Sequence, residues 1–216
     1  MSTRSGEAGT DPARRGRFVA LEGPDGAGKT TQVAAVASAL GALVTREPGD
    51  TALGAQLRRL LLESRGEAAP GRRAEALMMA ADRAQHVESV IEPALAAGRH
   101  VVTDRFTGSS VAYQGYGRGL DPLEVLALSH FATAGLEPDL IVLLDVPVAV
   151  TARRLGEVRD RIEAAGDGFH ERVRTGFLAQ ADVDPERWVV IDGTAAADAV
   201  AAAVLDAVRS RLGVPS

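Results

Sequence analysis

The sequence predicts a doubly wound α/β fold, a mostly parallel sheet of five strands flanked by helices. Three observations carry this reading. Short apolar runs near residues 18, 42, 100, 140 and 188 alternate with helical stretches. The run at 140–146 is almost wholly apolar, which suits a strand buried on both faces of a parallel sheet. A glycine-rich turn also stands directly between the first run and an amphipathic helix. At 216 residues, 46% hydrophobic and 25% charged, the chain has material for one sizeable globular domain.

Residues 1–16 are polar, rich in Gly, Ser and Arg and without periodicity, which predicts a disordered leader before a single domain at 17–213. The first strand is 18–21. The helix after the turn begins near Lys29 and is readable from Gln32, with Val33, Val36, Ala37 and Leu40 on one face. A second strand at 42–45 runs into a Pro48-Gly49 turn. Leu53, Leu57, Leu60 and Leu61 fall at helical spacing, and 66–71 is a loop. A long helix is expected at 73–97, with Leu77, Ala81, Ala84, Val87 and Ile91 inward and Pro93 bending its last turns. The third strand is 100–103, followed by a glycine- and hydroxyl-rich stretch at 109–119 and a helix at 122–134. After the fourth strand, helices open at 148–155 and 169–180, with a charged, mobile segment at 156–168 between them. A strand at 188–192 and a helix at 197–212 close the chain, and Trp188 is expected in the core.

Residues 23–30 match G-x-x-x-x-G-K-[ST], the phosphate-binding loop, with a strand before it and a helix after it, as the motif requires. Gly23, Gly26 and Gly28 permit backbone conformations that aim successive N–H groups inward at phosphate oxygens. Pro24, Asp25, Ala27 and Thr31 complete the expected nucleotide-triphosphate cradle, and the helix start adds its positive dipole end. The Lys29 ammonium suits the β- and γ-phosphates and the Thr30 hydroxyl suits Mg²⁺. Lys29 is the only lysine in the chain, every other fixed cationic side chain being Arg.

Ligands of such sheets bind at the carboxyl ends of the strands. Three expected strand ends carry charge: Asp25 with Lys29, Arg46 with Glu47, and Asp104 with Arg105. That convergence predicts a site for two phosphorylated molecules head to head. Asp104 is a natural second partner for Mg²⁺, and Arg46 and Arg105 are forks for an acceptor phosphate. Arg159 and Arg161 lie in the charged 156–168 segment, a lid that would bring positive charge to a transferring phosphoryl group and exclude water. The expected catalytic set is therefore Lys29, Asp104, Arg105, Arg159 and Arg161. Spacing does not say which lid arginine acts.

Other classes are disfavoured. A net charge of −5 supplies no general attraction to nucleic acid. The absence of cysteine excludes disulfides, thiolate metal sites and a Cys nucleophile. No apolar run approaches the roughly 18 residues a membrane span needs, and the stretch after Arg14, Arg15 and Arg17 is too short for a signal peptide, so a cytoplasmic enzyme is expected. His86, His100, His130 and His170 fit no metal-ligand spacing and are expected as surface or packing residues. The chain contains no asparagine, so it lacks the N-K-x-D guanine-reading motif of GTP switches.

From Phe18 to Leu212 the chain resembles the thymidylate kinase family, of the P-loop NTP hydrolase type. The resemblance rests on the phosphate loop, Thr45-Arg46-Glu47-Pro48-Gly49, Arg58, Arg83 and Asp104-Arg105-Phe106, continued by Ser109-Ser110, Ala112-Tyr113-Gln114-Gly115, Asp160-Arg161-Ile162-Glu163 and Phe169. It implies transfer of the γ-phosphoryl group of ATP to dTMP, with Mg²⁺, in a homodimer whose contact includes the long helix from Arg73. It also implies that Asp25 meets the deoxyribose 3′-hydroxyl, Arg46 and Arg105 hold the dTMP phosphate, and Arg58 approaches the transferring phosphates. Arg83, Ser110 and Gln114 would then read the thymine edge, with Tyr113 on the deoxyribose. Gly26 fills the loop position where some members carry the catalytic arginine, so the lid must supply it. Two residues depart from the family pattern: Met79 stands where a Phe usually stacks on thymine, and Asp50 replaces a glycine near the acceptor phosphate. Rival readings are a kinase of another nucleoside monophosphate, such as dUMP, and a non-catalytic nucleotide binder.

Overall fold

The computed structural model describes residues 15–155 and 160–213. The expected leader therefore lies outside the described residues as far as residue 14, and so does Arg159. Arg15 and Gly16 are tied down, through Asp139 and the Leu95 carbonyl.

Five strands, β1 (Phe18–Glu22), β2 (Leu43–Arg46), β3 (Val101–Asp104), β4 (Leu140–Asp145) and β5 (Trp188–Asp192), form one sheet in the order β2-β3-β1-β4-β5. Every pairing is parallel, with Leu21 beside Asp104 and Val142, and Arg46 beside Asp104. The helices are α1 (Lys29–Leu40), α2 (Ala52–Glu63), α3 (Arg72–His86), α4 (Glu92–Ala96), α5 (Thr107–Ser110), α6 (Pro122–Ala132), α7 (Val148–Leu155), α8 (Asp167–Val183) and α9 (Ala197–Leu212).

Side-chain alternation along β1 divides the core between the two faces of the sheet. Val19 and Leu21 pack with Val36 of α1, Val102, Leu144 and Val204 of α9. Phe18 and Ala20 pack on the opposite face with Val87, Ile91, Leu95 and Phe106. A third cluster joins Tyr113, Leu143, Phe169, Phe177 and the expected core residue Trp188, binding α8 to the sheet. Burial on both faces explains why the strands read as apolar runs.

One expectation about the helices holds and two are corrected. The helix expected at 73–97 runs unbroken from Arg72 to Ala96, as α3, a wider-wound helical stretch at Val87–Ile91 and α4, whose first turn holds Pro93. Proline has no N–H to bond back into the preceding turn, and the helix is wound more widely in the turn just before Pro93. Leu77 and Ala81 face outward, Leu77 at 59% exposure, while Ala76, Ala80, Arg83 and His86 are buried. Helix α3 turns polar side chains inward, so its apolar face is a poor guide to its buried one. The stretch at 109–119 is also largely helical, α5 running into a wide-turn segment at Val111–Gly117. Its glycines mark close approaches: a Cβ on Gly117 would stand 2.6 Å from Phe169 Cε2, and one on Gly108 2.7 Å from Trp188 Cη2.

Candidate active site

All five strands end in a charged residue: Glu22, Arg46, Asp104, Asp145 and Asp192. A buried strand rejects charge along its length, so charge collects where the strand emerges into the cleft. Between β1 and α1 the loop glycines Gly23, Gly26 and Gly28 have φ of 141°, 78° and 93°. Side chains rarely adopt such values, and a Cβ on Gly23 would also meet the Leu144 carbonyl oxygen at 2.7 Å. Lys29 is buried, and its ammonium donates to the Gly23 and Pro24 carbonyls at 3.1 and 3.0 Å. Burial, helped by the nearby Arg105 charge, lowers its pKa to about 8 against the pull of Asp104 and Asp25.

Thr30 Oγ1 lies 3.3 Å from Asp104 Oδ2, while Asp104 Oδ1 is buried with no hydrogen-bond partner among the described residues. A lone buried carboxylate oxygen beside a hydroxyl at a phosphate loop suits Mg²⁺, which takes few protein ligands and keeps its water and phosphate oxygens.

Arg105 follows directly, with φ of 72°, a region costly for a residue with a side chain. Its guanidinium donates to the Gly23 carbonyl (3.0 Å), Ser109 Oγ (2.9 Å), Asp25 Oδ1 (2.5 Å) and the Tyr113 hydroxyl (3.2 Å). Tyr113 in turn donates to Asp25 Oδ2 at 2.7 Å. Burial alone would raise the Asp25 pKa. The Arg105 and Lys29 charges and the Tyr113 hydroxyl outweigh burial and hold the carboxyl well below its ordinary range. The turn rests on Glu22, a fully buried carboxylate that accepts from the Phe106 N–H (2.9 Å), the Ser109 N–H (3.0 Å) and Ser109 Oγ (2.5 Å). Burial raises the Glu22 pKa, and the Ser109 bond and the Arg105 charge offset only part of that.

A second buried network surrounds Arg83 on α3. The guanidinium donates to Glu47 Oε2 (2.8 Å), Ser110 Oγ (3.1 Å), the Phe106 carbonyl (3.1 Å) and Ser129 Oγ (3.3 Å). His86 Nδ1 meets Glu47 Oε1 at 2.9 Å, and its Nε2 meets Thr45 Oγ1 at 2.5 Å. Thr45 also donates to Asp50, which places that departure in a polar chain leading away from the pocket. Burial and the neighbouring Glu47 push Asp82 up to about 6.

Two cavities open at this edge of the sheet. One, of about 440 Å³, is lined by Gly26, Gly28, Lys29, Thr30, Arg46, Asp104 and Arg154 among others. The other, of about 90 Å³, is lined by Met79, Arg83, Ser110, Tyr113, Gln114, Phe106 and neighbours. Asp25, Glu47, Arg58 and Arg105 line both, so the cavities meet. Arg58 of α2 is fixed at the junction by its bond to the Pro48 carbonyl (2.8 Å).

Of the two lid candidates, only Arg161 is among the described residues. Arg161 turns away from the phosphate cavity: its side chain donates to the Leu61 carbonyl (2.8 Å) and to Glu75 Oε2 (2.6 Å). Arg154, at the end of α7, reaches the Gly193 carbonyl (3.1 Å) and the Gly26 carbonyl (3.4 Å) and lines the phosphate cavity. Glu22, Glu75 and His86 had no site role on sequence grounds, and Glu47 was marked only as charge at a strand end. The one available signal was Glu22, a carboxylate ending an apolar strand immediately before the phosphate loop.

A sequence profile described as Thymidylate kinase matches residues 21–204. The chain belongs to the thymidylate kinase family. It is 54% identical over 174 residues to a thymidylate kinase of Synechococcus sp. (strain RCC307), a match covering 76% of this chain and 82% of the relative. It is 49% identical over 197 residues to that of Clavibacter michiganensis subsp. michiganensis (strain NCPPB 382), covering 88% and 92%. To that of Bifidobacterium longum (strain NCC 2705) it is 49% identical over 196 residues, covering 88% and 95%. The all-parallel five-stranded sheet is the P-loop type of α/β fold expected of such a kinase. Among the described residues no helix is long and apolar enough to cross a membrane.

Proposed function

We propose that this chain performs the family reaction with the two joined cavities as donor and acceptor sites. The chain transfers the γ-phosphoryl group of ATP to dTMP, giving dTDP and ADP. An oxygen of the dTMP phosphate forms the new bond to the γ-phosphorus, and the bond from that phosphorus to the β–γ bridging oxygen breaks. The observation that carries the division of labour is the set of residues common to both cavities, Asp25, Glu47, Arg58 and Arg105. Two nucleotides seated there bring their phosphates together at those side chains.

In the donor site the loop amides receive the phosphates, and Lys29 exchanges its two carbonyl partners for the β- and γ-phosphates. Thr30 and Asp104 would hold Mg²⁺, which would neutralise phosphate charge. Arg105, common to both cavities, and Arg46, which lines the donor cavity beside it, clamp the dTMP phosphate, and Asp25, already gripped by Arg105 and Tyr113, takes the 3′-hydroxyl. Arg83, Ser110 and Gln114 face the thymine edge, with Met79 against the ring. Arg154, at the end of α7, supplies the positive charge that the lid was expected to bring, supported by its contact with the Gly26 carbonyl. The exposed apolar side chains of α3 and α6 support a homodimer. A coupled assay of dTMP, dUMP, AMP and GMP side by side tests the reading. The highest kcat/KM is expected for dTMP, and a higher value for any other monophosphate overturns it.

A further inference from the structure

Glu75 lies behind the acceptor cavity. It stands in the first turn of α3, with Met79 and Arg83 following at four-residue intervals on the same face. Its side chain is 1% exposed and receives three charged or amide donors. Gln114 Nε2 donates to Oε1 at 3.0 Å, Arg118 Nε to Oε1 at 3.1 Å and Arg161 to Oε2 at 2.6 Å. Burial would raise the Glu75 pKa, but the bonds from Arg118 and Gln114 outweigh it and hold the carboxyl below its ordinary value.

The chemistry of that carboxylate dictates which way the Gln114 amide points. An ionised carboxylate only accepts hydrogen bonds, so the amide nitrogen must face it and the carbonyl oxygen must face elsewhere. Among the described residues no donor is bonded to Gln114 Oε1, and Gln114 lines the cavity beside Arg83. The wall therefore offers an acceptor from Gln114 next to Arg83, whose Nη1 keeps one N–H beyond its bonds to Glu47, Ser129, Ser110 and the Phe106 carbonyl. A base edge with a ring N–H beside a carbonyl, as in thymine or uracil, matches this pair. Cytosine presents the reverse, a bare ring nitrogen beside an amino group, and meets mismatched partners at both points. The geometry points to Glu75 as a positioning residue that fixes the Gln114 amide and so makes the acceptor site selective for N3–H pyrimidines. This rests on the assignment of that cavity to the base of the acceptor nucleotide.

The test compares kcat and KM for dTMP and dCMP in the full chain and in Q114A, E75Q and the exchange E75Q/Q114E. Glu75→Gln is isosteric but can face the Gln114 side chain with either a donor or an acceptor, so the amide is released to turn. The expected result is a fall of about tenfold or more in the dTMP/dCMP ratio of kcat/KM, carried by KM, with kcat for dTMP within about threefold. The exchange restores one acceptor-only group in the pair and again turns an acceptor to the cavity, so it recovers most of the ratio. A merely structural role predicts no such recovery. An unchanged ratio in folded E75Q, or an exchange variant that fails to recover it, overturns the inference. If E75Q does not fold, the exchange decides alone: it must fold and discriminate, and failure in either overturns the inference. Gln114→Ala separates the two levels: an unchanged dTMP KM there removes the base-pocket assignment itself. A raised KM there with no effect of Glu75→Gln removes only the role of Glu75.

Discussion

At the scale of single residues, the site is a set of charges whose partners are chosen before substrate arrives. Lys29 shows the consequence most clearly. Within the loop its ammonium bonds the Gly23 and Pro24 carbonyls, and its pKa is lowered to about 8. Triphosphate oxygens favour the ammonium form, so ATP binding raises that pKa again. Below pH 8 the ammonium is already present and binding takes up almost no proton. Above it the free protein has lost the proton, and binding must recover up to one. Calorimetric titration of ATP in buffers of different ionisation enthalpy is expected to show uptake near zero at pH 7 and approaching one proton near pH 9. Uptake that is flat with pH would show that Lys29 does not face the phosphates. Lys29→Ala is expected to lower kcat by at least about 10²-fold, with an unchanged far-UV circular dichroism spectrum, and activity within threefold of the parent would remove its assigned role. The sequence exposed Lys29 because a local motif encodes it. It hid Glu75 and His86 because their roles depend on partners far along the chain, such as Gln114 and Thr45.

At the scale of elements, the helices differ in how openly their sequence declares their packing. Helix α1 and strand β1 bury apolar residues and were legible, whereas α3 buries Glu75, Asp82, Arg83 and His86 and was read from the wrong face. The segment after β3 was obscure for a different reason: its glycines resemble loop residues, yet they permit helix-to-core contact. Gly108 sits against the Trp188 ring and Glu22 Oε1, which a Cβ would approach to 2.7 and 3.0 Å. Neither neighbour is free to move, since Trp188 is in the core and Glu22 carries the Arg105 turn. Gly108→Ala is therefore expected to destabilise by about 1–3 kcal/mol and to lower Tm by roughly 2–12 °C, read by thermal denaturation. Arg154, just before the lid segment, and Arg161, within it, separate by element as well. Arg154, on α7, stands at the phosphate cavity, and Arg161 is engaged by α2 and α3. Arg154→Ala is expected to cut kcat by about 10²-fold or more with little change in the dTMP KM, while Arg161→Ala leaves the larger effect on KM. The reverse pattern in steady-state kinetics would return the catalytic role to Arg161.

At the scale of the whole molecule, the parallel sheet gathers residues distant in sequence at one edge, and this explains what could be read early. Strand ends are local features, so Asp25, Arg46, Asp104 and Arg105 were visible as one site, while the outer surface carries no comparable local code. There α3 and α6 pack side by side and leave Leu77, Leu123, Leu126 and Phe131 exposed at 59%, 74%, 46% and 85%. Large apolar side chains left in water on neighbouring helices favour association, since each buried Leu or Phe gains about 1.5–3 kcal/mol. Sedimentation equilibrium at micromolar concentration is expected to give the mass of two chains, and Leu126→Glu with Phe131→Glu to give the mass of one. The functional cost should be uneven. Helix α3 carries Met79 and Arg83 toward the acceptor cavity, whereas the phosphate loop lies between β1 and α1, apart from α3 and α6. Dissociation loosens the outer support of α3 and α6, so the dTMP KM should rise more than the ATP KM. A wild-type chain that sediments as a monomer, or a monomeric variant in which both KM values rise equally, would uncouple this surface from the acceptor site.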